Sequence, residues 1–320
     1  MTNKIIENEA GKSALVYDAS FKLNYLKFKY WPTWLGLLCL WLISYLPVSL
    51  RDGLSNKLGD LARNINAKRR RIARKNIELC FPELSKEKKK ELVRENFRHQ
   101  VRSILSYGLI WWAPKSVLEK RIVIKGQEYI EQSRNNGRGV IFMAAHSLGL
   151  EAAVSAATMR YPVSGLFNPM KNELVDWLVA KGRDRYGIFL YTRAAGLRPI
   201  IKDVRAGCAM FYLPDEDLGK DRCIFAPFFG VEKATVPVLG RLAKSCKADV
   251  LPTIACYDEK AHKYIVHILP ALTDFPEGDD YQNAVAMNKS LEEIVSLCPA
   301  QYFWTMKLFK TRPDGEQKFY

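Results

Sequence analysis

From about residue 121 onward, short apolar runs alternate with longer stretches in which apolar positions recur every three or four places, the texture of strands alternating with amphipathic helices. The spacing predicts strands near 139–145, 162–167, 208–213, 249–256 and 263–269. Helices are predicted near 148–160, 171–185, 196–205, 235–246 and 281–297. Such alternation builds an α/β fold with a central, mostly parallel sheet flanked by helices. No internal repeat or low-complexity tract interrupts it.

Upstream the pattern changes twice. Residues 31–50 carry no charge over about the length that crosses a hydrocarbon core, and Lys27, Lys29 and Arg51 bracket them. Three tryptophans and a tyrosine in this run suit a membrane interface, and the polar residues before it argue against a cleaved signal peptide. The run reads as an N-terminal membrane anchor, either a spanning helix or, given Pro47 and basic residues on both sides, a helix or hairpin lying in the interface. Beyond it lie the basic clusters Lys68–Lys75 and Lys86–Lys90. Ser85 is placed to cap a helix in which Leu92, Val93, Phe97, Val101, Ile104, Leu105 and Leu109 form one apolar face. The chain therefore divides into a basic segment (1–30), an anchor (31–50), a basic amphipathic helical region (51–115) and an α/β domain (116–320) that carries the candidate chemistry.

Composition narrows the partners. The 320 residues are 48% hydrophobic and carry a formal net charge of +15, which favours anionic partners: a nucleic acid, an acidic protein, or an anionic membrane and its phosphorylated lipids. Aromatic residues cluster in the anchor and apolar loops instead of interleaving with the basic runs, so nucleic acid is the poorest fit. Seven cysteines without a C-x-x-C pair read as buried free thiols in a reducing compartment. Together with the basic flank after the anchor, they place the α/β domain on the cytoplasmic side. Neither a zinc-finger pattern nor H-E-x-x-H is present, and no metal or cofactor is assigned. P-loop, G-x-G-x-x-G and G-x-S-x-G signatures are also missing, which removes the usual kinase, dehydrogenase and hydrolase readings.

The candidate chemistry sits at strand ends. Gly139–Ala145 delivers His146 to the carboxyl end of an apolar strand, where open α/β sheets bind substrates. His146 and Glu151 on one helix would stand roughly 140° apart, so the pair reads as a junction. His146 leaves the strand, Ser147 caps a helix, and Glu151 folds back from its first turn toward the imidazole. A carboxylate on one ring nitrogen would fix the tautomer and leave the other to act as a general base near neutral pH. With no enzyme nucleophile beside it, this dyad suits activation of a substrate hydroxyl or water. The alternative is a satisfied histidine beside a surface glutamate. A second strand ends in Pro214-Asp215-Glu216-Asp217, whose acids either shape a turn or support the site. Arg183 follows a helix ending near Gly182, where it either satisfies the last carbonyls or grips a phosphate. Phe225–Val231 reads as an apolar loop, for core packing or for lining an alkyl channel.

Taken together, these motifs resemble the late acyltransferases of lipid A biosynthesis, the lauroyl/myristoyl transferase family of Gram-negative bacteria, over nearly the whole chain. The resemblance rests on the anchor, Arg74–Glu83, His146 to Glu151, Asn168-Pro169 with Arg183, Pro214–Asp217, Pro227–Gly230 and Gln301-Tyr302-Phe303-Trp304. It implies transfer of a fatty acyl chain from acyl carrier protein to the 3-hydroxyl of a hydroxyacyl chain on a lipid A precursor. The reaction would take place at the inner face of the bacterial inner membrane. In that reading His146 and Glu151 are catalytic, and Arg183, Asp215 and Asp217 bind substrate or support the site. The carrier protein, the lipid precursor and the anionic membrane are the expected partners.

Overall fold

The computed structural model describes residues 17–320, apart from the side chain of Arg193. Of the basic segment expected over 1–30, residues 1–16 thus lie outside the described part.

Two short 3-10 turns (Leu23–Leu26 and Phe28–Tyr30) lead into α1 (Trp31–Ser44), and after Pro47 the chain starts again as α2 (Val48–Ile65). The uncharged run is therefore not one helix. Proline has no amide to give and disfavours a helical residue before it, so the helix stops ahead of Pro47. At 14 residues α1 extends about 21 Å, short of a hydrocarbon core of about 30 Å. No helix among the described residues is long and apolar enough to cross a membrane, so the spanning form of the expected anchor is not supported. Instead α1 lies close on α4 (Lys86–Trp112): a Cβ on Gly108 would stand 2.7 Å from the Leu40 carbonyl oxygen. In the chain α2 is followed by α3 (Ala67–Cys80), capped by Asn66, and Ser85 caps α4 as its sequence predicts.

The sheet domain follows in the order α5 (Lys115–Arg121), β1 (Ile122–Lys125), α6 (Gln127–Asn135), β2 (Gly139–Ala144), α7 (Leu150–Thr158), β3 (Val163–Phe167), α8 (Glu173–Asp184), β4 (Ile188–Thr192), α9 (Arg198–Arg205), β5 (Ala209–Tyr212), β6 (Ile224–Phe228), β7 (Val231–Thr235), α10 (Leu239–Cys246), β8 (Ala248–Asp258), β9 (Lys263–Ile268) and α11 (Asp280–Ser296). Seven strands form one sheet in the order β1-β9-β8-β2-β5-β3-β4, parallel throughout except where β9 runs against β8. Strands β1 and β4, too short or too mixed to declare themselves, were not legible in the pattern. Apolar clusters cover both faces. Leu105, Trp111, Val154 and Leu178 from α4, α7 and α8 pack on one side, and Ile200, Leu242 and Leu291 from α9, α10 and α11 on the other.

Two further expectations change. The segment read as an apolar loop is the hairpin β6-β7, and Phe228 in it is fully buried, 6.4 Å from both the Tyr302 and Phe309 rings. That side chain is core. Nor are all cysteines free: Cys256 on β8 and Cys298 beyond α11 form a disulfide, their Cα atoms 6.0 Å apart where the helix end meets the strand. Cys80 and Cys246 are buried thiols, while Cys39 is exposed.

Two buried asparagines fasten the helical region to the sheet domain. Asn96 on α4 donates from Nδ2 to the carbonyls of Ala300 (2.8 Å) and Tyr302 (2.7 Å). On α3, Asn76 does the same for Trp304 and Met306, both at 2.7 Å. Asn96→Ala removes the donor of the Ala300 carbonyl and leaves the Tyr302 carbonyl with the Trp304 amide (2.8 Å), and should lower unfolding stability by about 1–3 kcal/mol, read from urea denaturation. A variant as stable as wild type would show that the clamp contributes nothing.

Candidate active site

Strands β2 and β5 are parallel neighbours, and the last pair in their register is Met143 with Tyr212. His146 and Asp215 each lie three residues beyond that pair, so the register itself brings them level at the carboxyl edge of the sheet. The imidazole Nδ1 meets Asp215 Oδ1 at 2.5 Å, and the His146 backbone amide donates to Asp215 Oδ2 at 2.7 Å. Tyr302 completes the cradle with an O–H bond of 2.9 Å to the same Oδ2. The Asp215 side chain is wholly buried, whereas one third of the His146 side chain is exposed. Nδ1 thus faces inward to its carboxylate, and Nε2 takes no protein partner among the described residues.

Electrostatics fit the geometry. Burial alone would raise the Asp215 pKa, but the adjacent His146 charge and its two hydrogen bonds outweigh it and hold the carboxyl below its usual range. At His146 burial pulls the other way, downward, and the Asp215 charge and hydrogen bond, helped by Glu216, leave the imidazole above its usual 6.5. An ionised Asp215 keeps the proton on Nδ1, so Nε2 presents its lone pair outward. Such an arrangement is chemically able to accept a proton from a group at the sheet edge.

Glu151 is not the partner of His146. It occupies the second position of α7, which begins after Gly149 and receives no cap from Ser147. Ser147 pairs instead with Tyr302, the Leu148 amide donates to Gln301 (2.8 Å), and the Phe303 amide donates to His146 (2.9 Å). The loop is held against residues 301–303, and Gly149 is required there because a Cβ would stand 2.3 Å from the Ala255 carbonyl oxygen. From this position Glu151 turns to Arg183, whose Nε lies 3.2 Å from both carboxylate oxygens and whose Nη2 makes a closer contact. A guanidinium is a permanent cation with a fork that matches a carboxylate, and Asp215 already fills the inner edge of His146. Arg183 lies in the last turn of α8, not after its end, with its guanidinium 5.8 Å from the Phe167 ring centre. The cation reserved for a phosphate is therefore already matched by Glu151. Asp217 accepts from the Thr311 amide (2.6 Å), the Thr311 hydroxyl (2.7 Å) and the Gly219 amide (3.1 Å). It pins the loop after Asp215 to the C-terminal segment and makes no bond to His146.

A family description, bacterial lipid A biosynthesis acyltransferase, matches residues 18–311. A lipid A biosynthesis acyltransferase of Haemophilus influenzae is 37% identical over 306 residues, 95% of each chain. The chain belongs to the lipid A biosynthesis acyltransferase family. The myristoyltransferase of lipid A biosynthesis from Escherichia coli is 33% identical over 96% of each chain, and the lauroyltransferase from that organism is 33% identical over 90% of this chain and 94% of its own. The protein is an acyltransferase.

Sequence reasoning missed two side chains of this acyltransferase. Tyr302 stood in the Gln301–Trp304 motif, but nothing local tied its hydroxyl to a strand end 87 residues away. Lys233 is fully buried on β7, and its pKa is lowered by burial against the partly offsetting charges of Asp215 and Asp217. A lysine in a strand is ordinarily solvent-facing, so it gave no signal. Among the described residues no three or more His, Cys, Asp or Glu side chains converge as metal ligands.

A neutral imidazole is needed to accept a proton, and Asp215 raises the pH at which His146 becomes neutral. Activity should rise with pH through a value above 6.5 and fall below it. Asp215→Asn should lower kcat by about 10²- to 10⁴-fold and move the acid limb of the residual activity downward, whereas Glu151→Gln should leave that limb in place. A pH–rate profile in which Glu151→Gln, and not Asp215→Asn, displaces the acid limb would restore Glu151 as the partner.

Proposed function

We propose that the enzyme transfers a fatty acyl chain from acyl carrier protein to the 3-hydroxyl of a hydroxyacyl chain on a lipid A precursor, at the inner face of the bacterial inner membrane. The observation that carries the mechanism is the exposed Nε2 of an imidazole whose other nitrogen is held by a buried carboxylate. His146 removes the proton of the acceptor hydroxyl as that oxygen attacks the thioester carbon. Collapse of the tetrahedral intermediate expels the thiolate, which takes the proton back from His146. Asp215 orients the ring and stabilises the imidazolium while it exists. No serine or cysteine hydrogen-bonds the His146 ring among the described residues, which supports direct transfer within a ternary complex and not through an acyl-enzyme. The Glu151–Arg183 pair orders the start of α7 behind the His146 loop and acts on the proton only through that support.

Membrane binding is supported by the face that the N-terminal elements leave uncovered. Leu23, Phe28, Leu35 and Leu42 are between 53% and 80% exposed, and Leu50 and Ile65 continue the surface along α2. Apolar side chains on helices that are not long and apolar enough to span suit a protein lying in the interface, with basic residues beside it for anionic headgroups.

Purified enzyme, acyl carrier protein charged with a lauroyl or myristoyl chain and a tetra-acylated lipid A precursor should yield a product heavier by one acyl chain in mass spectrometry. His146→Ala should lose about 10²-fold or more of that rate while binding the lipid as wild type does. Transfer by His146→Ala at the wild-type rate would sink the base assignment. A stable ester on the protein that turns over to product would sink direct transfer.

A further inference from the structure

A groove of about 830 Å³ opens between α3 and the start of α4, away from the His146 cradle. Arg63, Arg70, Arg71 and Arg74 form one wall, Lys86, Lys89 and Lys90 the other, and Glu78 is the single carboxylate in the lining. Some of these cations are engaged locally. Arg70 donates to the Arg63 and Asn64 carbonyls, Lys89 to the Pro82 carbonyl, and Arg74 sits 3.5 Å from Glu78. Arg71, Lys86 and Lys90 have no partner among the described residues, and the Nε of Arg63 is buried without one. So many like charges facing one hollow raise the free energy of the unoccupied protein, and an anionic occupant would relieve it.

Shape and lining decide what kind of anion fits. A bilayer is broad and gently curved, and it takes the exposed apolar faces of α1 and α2. The groove is concave, and Ala67 and Val93 are its only apolar residues; the rest of its apolar surface comes from the hydrocarbon stems of arginines and lysines that end in charge. Beyond Arg63 at the end of α2, the arginine wall runs along α3 between Ala67 and Glu78, about 16 Å or three helical turns. A protein helix with acidic residues on one face matches that length, the two-sided cationic lining and the hollow between. Location adds to the argument. The opposite face of α3 holds residues 304–306 through Asn76 and Arg69, in the segment whose Tyr302 bonds Asp215. An occupant of the groove is thus separated from the cradle by one helix and the strap beneath it.

We propose that this groove is the docking surface for the acidic carrier protein of the acyl donor, with one of its acidic helices lying along the arginine wall. The proposal rests on the reading that the donor is carrier-bound. Charge complementarity of this kind acts mainly on encounter and on apparent affinity, and salt weakens it.

The test uses the full-length enzyme with the same acyl chain presented in two ways, on acyl carrier protein and as an uncharged pantetheine thioester. Reversing four charges together (Arg71→Glu, Arg74→Glu, Lys86→Glu, Lys90→Glu) should lower the ratio of kcat/KM for the carrier donor to that for the small donor by tenfold or more, chiefly through KM. The salt dependence of the carrier reaction should flatten as well. The milder pair Arg71→Gln and Lys90→Gln, which removes charge without adding any, should show the same change at smaller size. An unchanged donor ratio in both variants overturns the proposal. So does a loss confined to co-sedimentation with vesicles containing anionic phospholipid, which would make the groove a membrane contact. A rise in KM for the lipid acceptor alone also overturns it, by assigning the groove to the acceptor's phosphates. If wild type shows no preference for the carrier donor, the carrier-bound reading itself fails, a result distinct from each of these.

Discussion

A carboxylate with no exposed surface is tolerable only when its charge and lone pairs are met, and Asp215 is met by the ring and amide of His146 and by the hydroxyl of Tyr302. Much of the structure around it follows from supplying those donors in place. The β2-β5 register sets the depth of the histidine, and the bridge from Ser147 to Tyr302 sets the tyrosine. Asn76 and Asn96 then hold the backbone on either side of that tyrosine to α3 and α4. Removing any single donor would leave a buried charge short of a partner, so these contacts act as a unit and their effects should not add. The cradle also explains why the helical region cannot be regarded as a mere tether. Its buried amides reach the segment that completes the site.

Around the cradle the charges are sorted by burial. His146–Asp215 and Glu151–Arg183 are each matched and largely enclosed, and the lysine nearest Asp215 in charge terms, Lys233, is fully buried. Arg71, Lys86 and Lys90, without partners among the described residues, lie on the outside, along α3 and α4. The apolar excess lies on the outside too, but on different elements, the 3-10 turns, α1 and α2. One molecule therefore presents an apolar face, a cationic groove and the His146 edge of the sheet as separate surfaces.

Several misreadings share a cause. The uncharged run of 31–50 has the composition of a span, but composition does not see Pro47 dividing it or α4 receiving one side of it. Cys256 and Cys298 are 42 residues apart, and only the meeting of β8 with the end of α11 makes them neighbours. Glu151 is close to His146 in sequence, yet five residues of chain carry it past the ring and into the reach of Arg183. In each case a local property was read correctly and its partner lay elsewhere.

What the sequence determined by itself is the set of elements and the chemistry at their ends. Period-two and period-3.6 patterning named the central strands and the main helices, Ser85 marked the start of the long helix, and the strand termini marked His146 and Asp215 as candidates. The motifs in order, from Arg74–Glu83 to Gln301–Trp304, identified the family. Which acid serves the histidine was decided only by the tertiary structure. Strand order and register are set by how the side chains of both sheet faces pack, a property of the whole domain, and it is this packing that places residue 215, not residue 151, against the imidazole.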